Sequence, residues 1–384
     1  MKVPLSIMRA NRFPLGCDPE LFLTSADGII GAEKVIDSRG ILASNGAAVL
    51  DGVQLELHPA PSTCRQTLAA NIANIFQAIS TALSRRTDGV KVSFDPVVTV
   101  SKKELDTLSE QAKKLGCSPS LNTHKPNAIL KVAKCNERMR SAGGHLHLAA
   151  GSQFHGPLGP DRKPTDSANT IRFVNLLDIF VGLPSVLIDR DPNASKRRRV
   201  YGRAGEHRLP PHGVEYRTLS NFWLRNYILM SFVFGQARQA YNVYMSSTPG
   251  KKFDYIKGQY IPEFDFYADL LKRIKMKDVA KAINRNDLDL AWKLWDEVSA
   301  FIIEFHPSSF DGVCSTNINN FNWWAKDIAE HGLEKWFPDD PLTHWCAKGM
   351  NPPGWAGFES YISGHQIGCL PCVKIPVVDI KKAA

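Results

Sequence analysis

Four short segments carry carboxylate or imidazole groups two residues apart. They are Asp18 and Glu20 in DPELFL, Glu56 and His58 (with Gln54) in VQLELHP, His145 and His147 in GGHLHLAA, and Glu215 with Arg217 in GVEYRTL. Residues i and i+2 of an extended strand share a face, so each set projects to one side. Leu55, Leu57, Leu146, Leu148 and Tyr216 then point to the other. One outward glutamate is ordinary for a solvated sheet. Four strands with carboxylate or imidazole where Lys, Thr or Ser would serve point to a polar face turned into a cavity. The metal set read this way is Glu20, Glu56, a histidine and Glu215, with His147 and His145 both candidates. Carboxylates beside an imidazole suit a hard cation, magnesium or manganese; a His-only or Cys-bearing set would have indicated zinc.

The segment DRDPNASKRRRVYGRAGEHRLPPHGVEYRTLS concentrates positive charge next to this set, with Arg197, Arg198, Arg199, Arg203, Arg208 and Arg217. Guanidinium forks bind phosphate oxygens bidentately, and a Gly-containing loop lets several converge on one polyphosphate. Taken alone, an arginine run is more often a solvated loop or a grip on nucleic-acid backbone. Its continuation into Glu215 and Arg217 on a strand favours a phosphoryl-transfer site, where cations bridge phosphates and arginines offset developing charge. No GxxxxGK[ST] and no kinase-type HRD and DFG pair occurs, which excludes those two nucleotide-binding classes.

The elements that must position these groups follow from periodicity. Residues 13–61 read as strands separated by ADG and SNG turns, and 62–86 as a helix. VKVSFDPVVTV reads as a strand, SKKELDTLSEQAKKLG as helical, and 117–140 as irregular. DSANTIRFVNLLDIFVGLPSVLID is apolar enough for a buried helix that Pro184 should bend or break. From Asn226 the pattern turns helical and rich in Trp and Phe, up to the Pro/Gly-rich stretch near Met350. The fold class expected is α+β, with residues 1–225 as catalytic core and 226–384 as a mainly helical portion packed on it.

The chain has 384 residues, 43% hydrophobic and 22% charged, with a formal net charge of +9. That is globular composition with a basic surface that favours anionic ligands. No stretch is read as reaching the roughly 18 apolar residues of a membrane span, and MKVPLSIMRANRFPLG lacks a signal-peptide core, so a cytoplasmic location is expected. The eight cysteines are dilute and read as reduced thiols. Cys369 and Cys372, with Cys346 and His344, fit no standard zinc ribbon, and small buried thiols are the favoured reading. Trp292, Trp295, Trp323 and Trp324 are read as core.

Five motifs in this order, GCDPELFL, DGVQLELHPAP, AGGHLHL, RRRVYGRAGEHR and GVEYRTLSNFW, resemble the phage-type carboxylate–amine ligases (amidoligases) of the glutamine synthetase and glutamate–cysteine ligase superfamily. The resemblance runs from about residue 13 to about residue 225. It implies a curved, mainly antiparallel sheet backed by helices, with ATP and Mg2+ or Mn2+ in its concavity. Carried over, Glu20, Glu56 and Glu215 match metal carboxylates, and His147, or else His145, matches the metal or phosphate histidine. Arg217 matches the arginine that meets the transferred phosphoryl group, making Glu215, Arg217 and Arg203 the catalytic expectation. Arg198, Arg203 and Arg208 match arginines for the nucleotide phosphates and the carboxylate. Where relatives alternate two glutamates on the early strand, this chain has Asp18 and Glu20. The shorter Asp18 is expected to orient rather than ligate, which leaves two or three metals open. Partners implied are a small-molecule or peptide carboxylate and an amine; some relatives form rings or dimers, and the host cytoplasm is the location if phage-encoded.

The implied reaction is amide formation through an acyl phosphate, with Glu206 or Glu33 as the amine's base. Two other readings compete. A metal-dependent hydrolase would pair the HLH motif with His155, His207 and His212. A nucleic-acid-binding protein would use the basic segment and the Trp-rich half.

Overall fold

A computed structural model describes residues 14–63, 65–113, 120–125, 138–149, 151–159, 164–189, 191–246, 252–254, 259–261 and 265–305, with Leu342 and Trp345. Two antiparallel sheets hold the strands that matter for the site. Numbered along the chain, these are β1 (Leu15–Cys17), β2 (Glu20–Ser25), β3 (Gly28–Ile30), β4 (Ile41–Ala43), β5 (Gly46–Asp51), β6 (Gln54–Pro59), β7 (Lys91–Ser93), β8 (Leu121–Asn122), β9 (Leu146–Leu148), β10 (Glu206–Arg208) and β11 (Val214–Tyr216). The first sheet has the order β1-β9-β11-β10-β8. The second has the order β3-β2-β6-β5-β4, with β7 on β2.

Only Asp18 and Pro19 separate β1 from β2, so the chain passes from one sheet to the other within two residues. The junction is pinned from both sides: the Glu20 amide donates to the Gly143 carbonyl at 2.9 Å, and the Leu57 amide to the Pro19 carbonyl at 2.9 Å. Any polar side chain at Asp18 therefore lies between the two sheets' polar faces.

The larger helices are α1 (Arg65–Ser84), α2 (Ala168–Leu177), α3 (Leu183–Ile188), α4 (Ala194–Val200), α5 (Tyr227–Ser246), α6 (Phe266–Arg273), α7 (Met276–Arg285) and α8 (Leu288–Phe305). Helix α1 lays Leu68, Ile72, Ile75, Phe76 and Ile79 against the apolar face of the second sheet, where Leu55 and Leu57 are fully buried. Leu146, Leu148 and Tyr216 do the same for the first sheet against the α2–α3 layer. One continuous core joins these to Leu270, Ile283, Trp295 and Phe301 of the later helices. Each buried Leu or Phe contributes about 1.5–3 kcal/mol, so the period-two alternation itself fixes which face each strand turns inward.

Four sequence expectations change here. First, Ala168–Ile188 is 21 residues long and apolar enough, by composition, to cross a membrane. It is buried inside the protein, as the reading of this stretch as a buried helix expected. Second, Pro184 does not break it. Residues Asp178–Gly182 widen into a π turn, and Pro184 falls in the first turn of the following α segment, where a missing N–H is tolerated. Third, the described parts of 117–140 are partly ordered as strands: Leu121–Asn122 edges the first sheet, and Met139–Ser141 pairs with Val97–Thr99. Fourth, the arginine run Arg197–Arg199 lies on helix α4, not on a loop.

Beyond residue 226 a short hairpin, Lys252–Asp254 with Gln259–Ile261, interrupts the helices. The cysteine and histidine group at 344–372 and Trp323 and Trp324 lie outside the described residues, as do 306–341; Trp295 is buried in the core and Trp292 packs against it.

Candidate functional site

Strand register builds the site. His147 stands opposite Glu215, and Glu215 opposite Arg208, across three neighbouring strands of the first sheet. In the second sheet Glu20 stands opposite Glu56, and Asp51 opposite Gln54. Directly opposed residues of an antiparallel pair share a face with Cβ atoms about 4.5–5.5 Å apart. Two clusters of hard donors result: Asp18, His147 and Glu215, and Glu20, Asp51 and Glu56. Within each, one ligand atom per residue lies within 4.8 Å of the others.

Asp18 joins the first cluster to His145. Its Oδ2 is 3.1 Å from His147 Nε2, and its Oδ1 is 3.2 Å from His145 Nδ1. His145 Nδ1 is also 3.8 Å from Glu215 Oε1, which itself lies 2.9 Å from Arg217 Nε and 3.7 Å from Arg208. Yet Asp18 Oδ1, His145 Nδ1, His147 Nε2 and Glu215 Oε1 are buried without a partner in hydrogen-bond geometry. Buried polar atoms are ordinarily satisfied, so a group of them aimed at one another marks a place built for something else. The donors are oxygens with one or two imidazole nitrogens, and no thiolate is among them; that set fits magnesium or manganese.

The surrounding contacts hold these groups in place. Glu20 Oε2 accepts from Gln54 Nε2 at 2.9 Å and from the Gly143 amide at 2.6 Å. His58 Nε2 meets Glu56 Oε2 at 2.8 Å, and His147 Nδ1 meets His212 Nε2 at 2.9 Å. Second partners of this kind orient a ligand and set its tautomer. Electrostatics separate the carboxylates. Burial pushes Asp18 up, but the close approach of the His145 and His147 imidazoles outweighs it and holds Asp18 well below the usual carboxylate range. Burial raises Glu20, with Asp51 and Glu56 adding to the rise, and burial with Glu56 raises Asp51. The second cluster is thus a set of mutually repelling acids. Burial disfavours charge on His147, but the hydrogen bond and charge of Asp18 lift its pKa; burial, then His147, lowers that of His212.

Arg217 is 3% exposed, donates to Ser120 Oγ at 2.7 Å and lies with its guanidinium 4.7 Å from the centre of the Tyr201 ring. Arg208 reaches toward Glu215 from the next strand. Asp18, His145, His147, Glu215, Arg208 and Arg217 thus form one run of charged contacts, and the charge of His145 acts on Glu20 and on Asp51 of the second cluster.

Residues Arg198 and Arg203 do not join them in the same way. Successive residues of a helix are about 100° apart, so three adjacent arginines cannot all face one phosphate. On α4, Arg197 turns inward to the carbonyls of Ala142 and Thr218, each at 2.9 Å, as a buried brace. Arg198 is buried against the side chain of Asn286, just beyond α7, and the expectation that it holds nucleotide phosphate is corrected. Arg203 is half-buried and donates to the Arg199 carbonyl at 2.7 Å. Glu33 accepts from the Ser109 amide at 2.7 Å and from its hydroxyl, a contact between segments 76 residues apart. Glu206 is buried, accepts from the Gly202 amide at 2.9 Å, and has its pKa raised by burial.

The hydrolase arrangement is not assembled among the described residues. His207 is fully buried on the far face, bonded to Asp166 at 2.7 Å, and His155 contacts the Gly213 carbonyl. Only His212 reaches the HLH pair. Four contributors were missed by sequence reasoning: Asp51, Tyr201, Ser120 and the ligand-like placement of Asp18.

Residues 138–275 match the family described as "Phage phiEco32-like COOH.NH2 ligase-type 2". The match supports the amidoligase family. The matched segment contains His145, His147, Arg208, Glu215 and Arg217, while Asp18, Glu20, Asp51 and Glu56 precede it. A solved structure titled "Crystal structure of novel glutamine synthase homolog" is similar at 12% identity and TM-score 0.33, covering 83% of this chain and 72% of that one. No curated protein matches.

Proposed function

We propose that this amidoligase-family chain joins a carboxylate to an amine at the expense of ATP, through an acyl phosphate. One observation carries the reading: a cluster of hard donors, Asp18, His147 and Glu215, has Arg217 and Arg208 on its Glu215, and a second cluster lies close enough for the charge of Asp18 to act on Asp51. Arginines beside a set of hard-cation donors are what a phosphoryl-transfer site uses, cations on the phosphate oxygens and guanidinium groups on the developing charge.

In the proposed reaction a carboxylate oxygen attacks the γ-phosphorus of ATP and ADP leaves. The amine nitrogen then attacks the acyl carbon, phosphate leaves, and the nitrogen's proton passes to a base. Asp18, His147 and Glu215 on one side, and Glu20, Asp51 and Glu56 on the other, are the residues that would hold divalent cations, with His145 beside the first group. Bound magnesium or manganese would offset the charge of the phosphate oxygens. Arg217, buried and fixed by Tyr201 and Ser120, presents its positive charge where it costs no reorganisation during transfer. Arg208, on the neighbouring strand, would add its charge from beside Glu215, and Arg203 is the further arginine offered to the nucleotide phosphates or the carboxylate. Glu206, whose pKa burial raises, is the remaining candidate for the amine proton.

The test is ADP release with Mg2+ against panels of carboxylates and amines, followed by mass spectrometry for a product equal to the two substrates less one water. Condensation without ADP formation, or no stimulation by any carboxylate and amine, would overturn the reading.

A further inference from the structure

Tyr201 stands where helix α4 ends, and it contacts two residues beside the first cluster, His145 and Arg217. Its amide caps the helix by donating to the Arg197 carbonyl at 2.8 Å, and the backbone then turns extended. Gly202 follows at φ +77°, and a Cβ there would lie 1.9 Å from Arg197 Nη1. Both the backbone and the space therefore require glycine, which fixes the Tyr201 ring between two guanidinium groups: Arg197 5.1 Å from its centre and Arg217 4.7 Å. The ring is 3% exposed. Its hydroxyl is 2.9 Å from His145 Nε2, and the two rings meet edge to face.

We propose that Tyr201 is the positioning residue of the site, whose hydroxyl aims His145 Nδ1 at Asp18 and Glu215 while its ring face holds the Arg217 guanidinium beside Glu215. The proposal rests on the metal-dependent ligase reading for its purpose, but the positioning itself is a property of the side chains.

The chemistry explains why tyrosine is used. A hydroxyl both donates and accepts, so it can satisfy Nε2 in either tautomer. With Asp18 ionised 3.2 Å away and no cation, a proton belongs on Nδ1 and the hydroxyl donates to Nε2. With a cation beside Asp18, the proton belongs on Nε2, the hydroxyl accepts, and the Nδ1 lone pair is free to ligate. Phenylalanine would hold the arginine but release the imidazole; leucine would release both. The His145 ring is 2% exposed, so it has no water to replace that partner.

Two variants separate the roles. Tyr201→Phe and Tyr201→Leu, each checked for folding by circular dichroism, are compared with the parent in three measurements. These are long-range 1H–15N spectra of the imidazoles without metal, Mn2+ affinity by paramagnetic resonance, and ATP turnover. Tyr201→Phe is expected to move the His145 nitrogen signals and weaken Mn2+ binding by about 10–100-fold, as loss of a ligand's orienting partner does, with KM for ATP little changed. Tyr201→Leu should add a rise in KM for ATP and a further fall in kcat. Unmoved His145 signals in Tyr201→Phe, or equal kinetics in the two variants, would overturn the proposal. If the signals move but the parent itself takes up no Mn2+, the positioning stands and the ligase reading fails.

Discussion

Replacing Asp51 by Asn should make the metal-free protein more stable and the metal-bound protein less so. Oxygens of Glu20, Asp51 and Glu56 lie within 4.8 Å of one another. Two unit charges at that separation repel by about 3.5 kcal/mol at an effective dielectric constant near 20. Burial and mutual repulsion already raise Glu20 and Asp51, so part of that cost is relieved by protonation. A net gain of about 1–3 kcal/mol is left for removing one charge while keeping shape. A chain of 384 residues shifts its Tm by roughly 1 °C per kcal/mol, so scanning fluorimetry with a chelator should show Asp51→Asn melting about 1–4 °C above the parent. A cation at 100 times its Kd stabilises the folded state by about 2.7 kcal/mol, so Mn2+ should raise the parent's Tm by roughly 3 °C. The variant should lose most of that increment. A lower metal-free Tm in the variant, or an undiminished Mn2+ response, would refute the idea that these three carboxylates form a cation site held together against their own repulsion.

Three further outcomes are expected. Glu215→Ala and Arg217→Ala should abolish ATP turnover while circular dichroism shows a folded chain, because both side chains belong to the run of charged contacts at the first cluster; full ADP release in either removes it from the machinery. Leu146→Asp should fail to fold, since a lone carboxylate replaces a fully buried side chain and costs several kcal/mol; a soluble, cooperatively melting variant would show the strand is faced wrongly. Burial opposes charge on His124, but the hydrogen bond and charge of Asp178 raise its pKa above the ordinary 6.5. Its stabilising contribution is therefore complete below about pH 6.5 and fades as pH climbs through the folded value. The Tm difference between parent and His124→Gln should shrink from pH 6 to pH 9, and a difference that grows would reverse the sign.

What the sequence made legible follows from geometry that is local. Period-two spacing placed Glu20, Glu56, His147 and Glu215 opposite buried leucines, and the sheets have those facings because a one-residue slip would put Leu55 or Leu146 into water. The arginine run was misread because charge says nothing about conformation. ASKRRRV has no helix breaker, and once it is helical its three arginines must diverge, one into the protein, one toward α7 and one outward. The long apolar stretch to Ile188 was judged by its interruptions, yet the polar Asp178 within it finds the Tyr216 hydroxyl at 2.7 Å and the Gly205 amide at 3.0 Å. Partners thirty residues away do not show in a periodicity.

Asp51 shows where such reading stops and how it could go further. In AAVLDGVQLELHPAP it looks like turn chemistry, an Asp before Gly. But a hairpin of two residues fixes register, so Asp51 faces Gln54 and lies diagonal to Glu56, on the face already assigned to ligands. Asp18 was discounted for a similar reason: its shorter side chain was compared with a glutamate at the same strand position. Position rather than length decides, because a residue in the two-residue crossing between sheets starts between their polar faces and not on either strand. The shorter acid at that crossing reaches both histidines. Ligands contributed by turns and crossings become visible once strand register is worked out from the pairs that surround them.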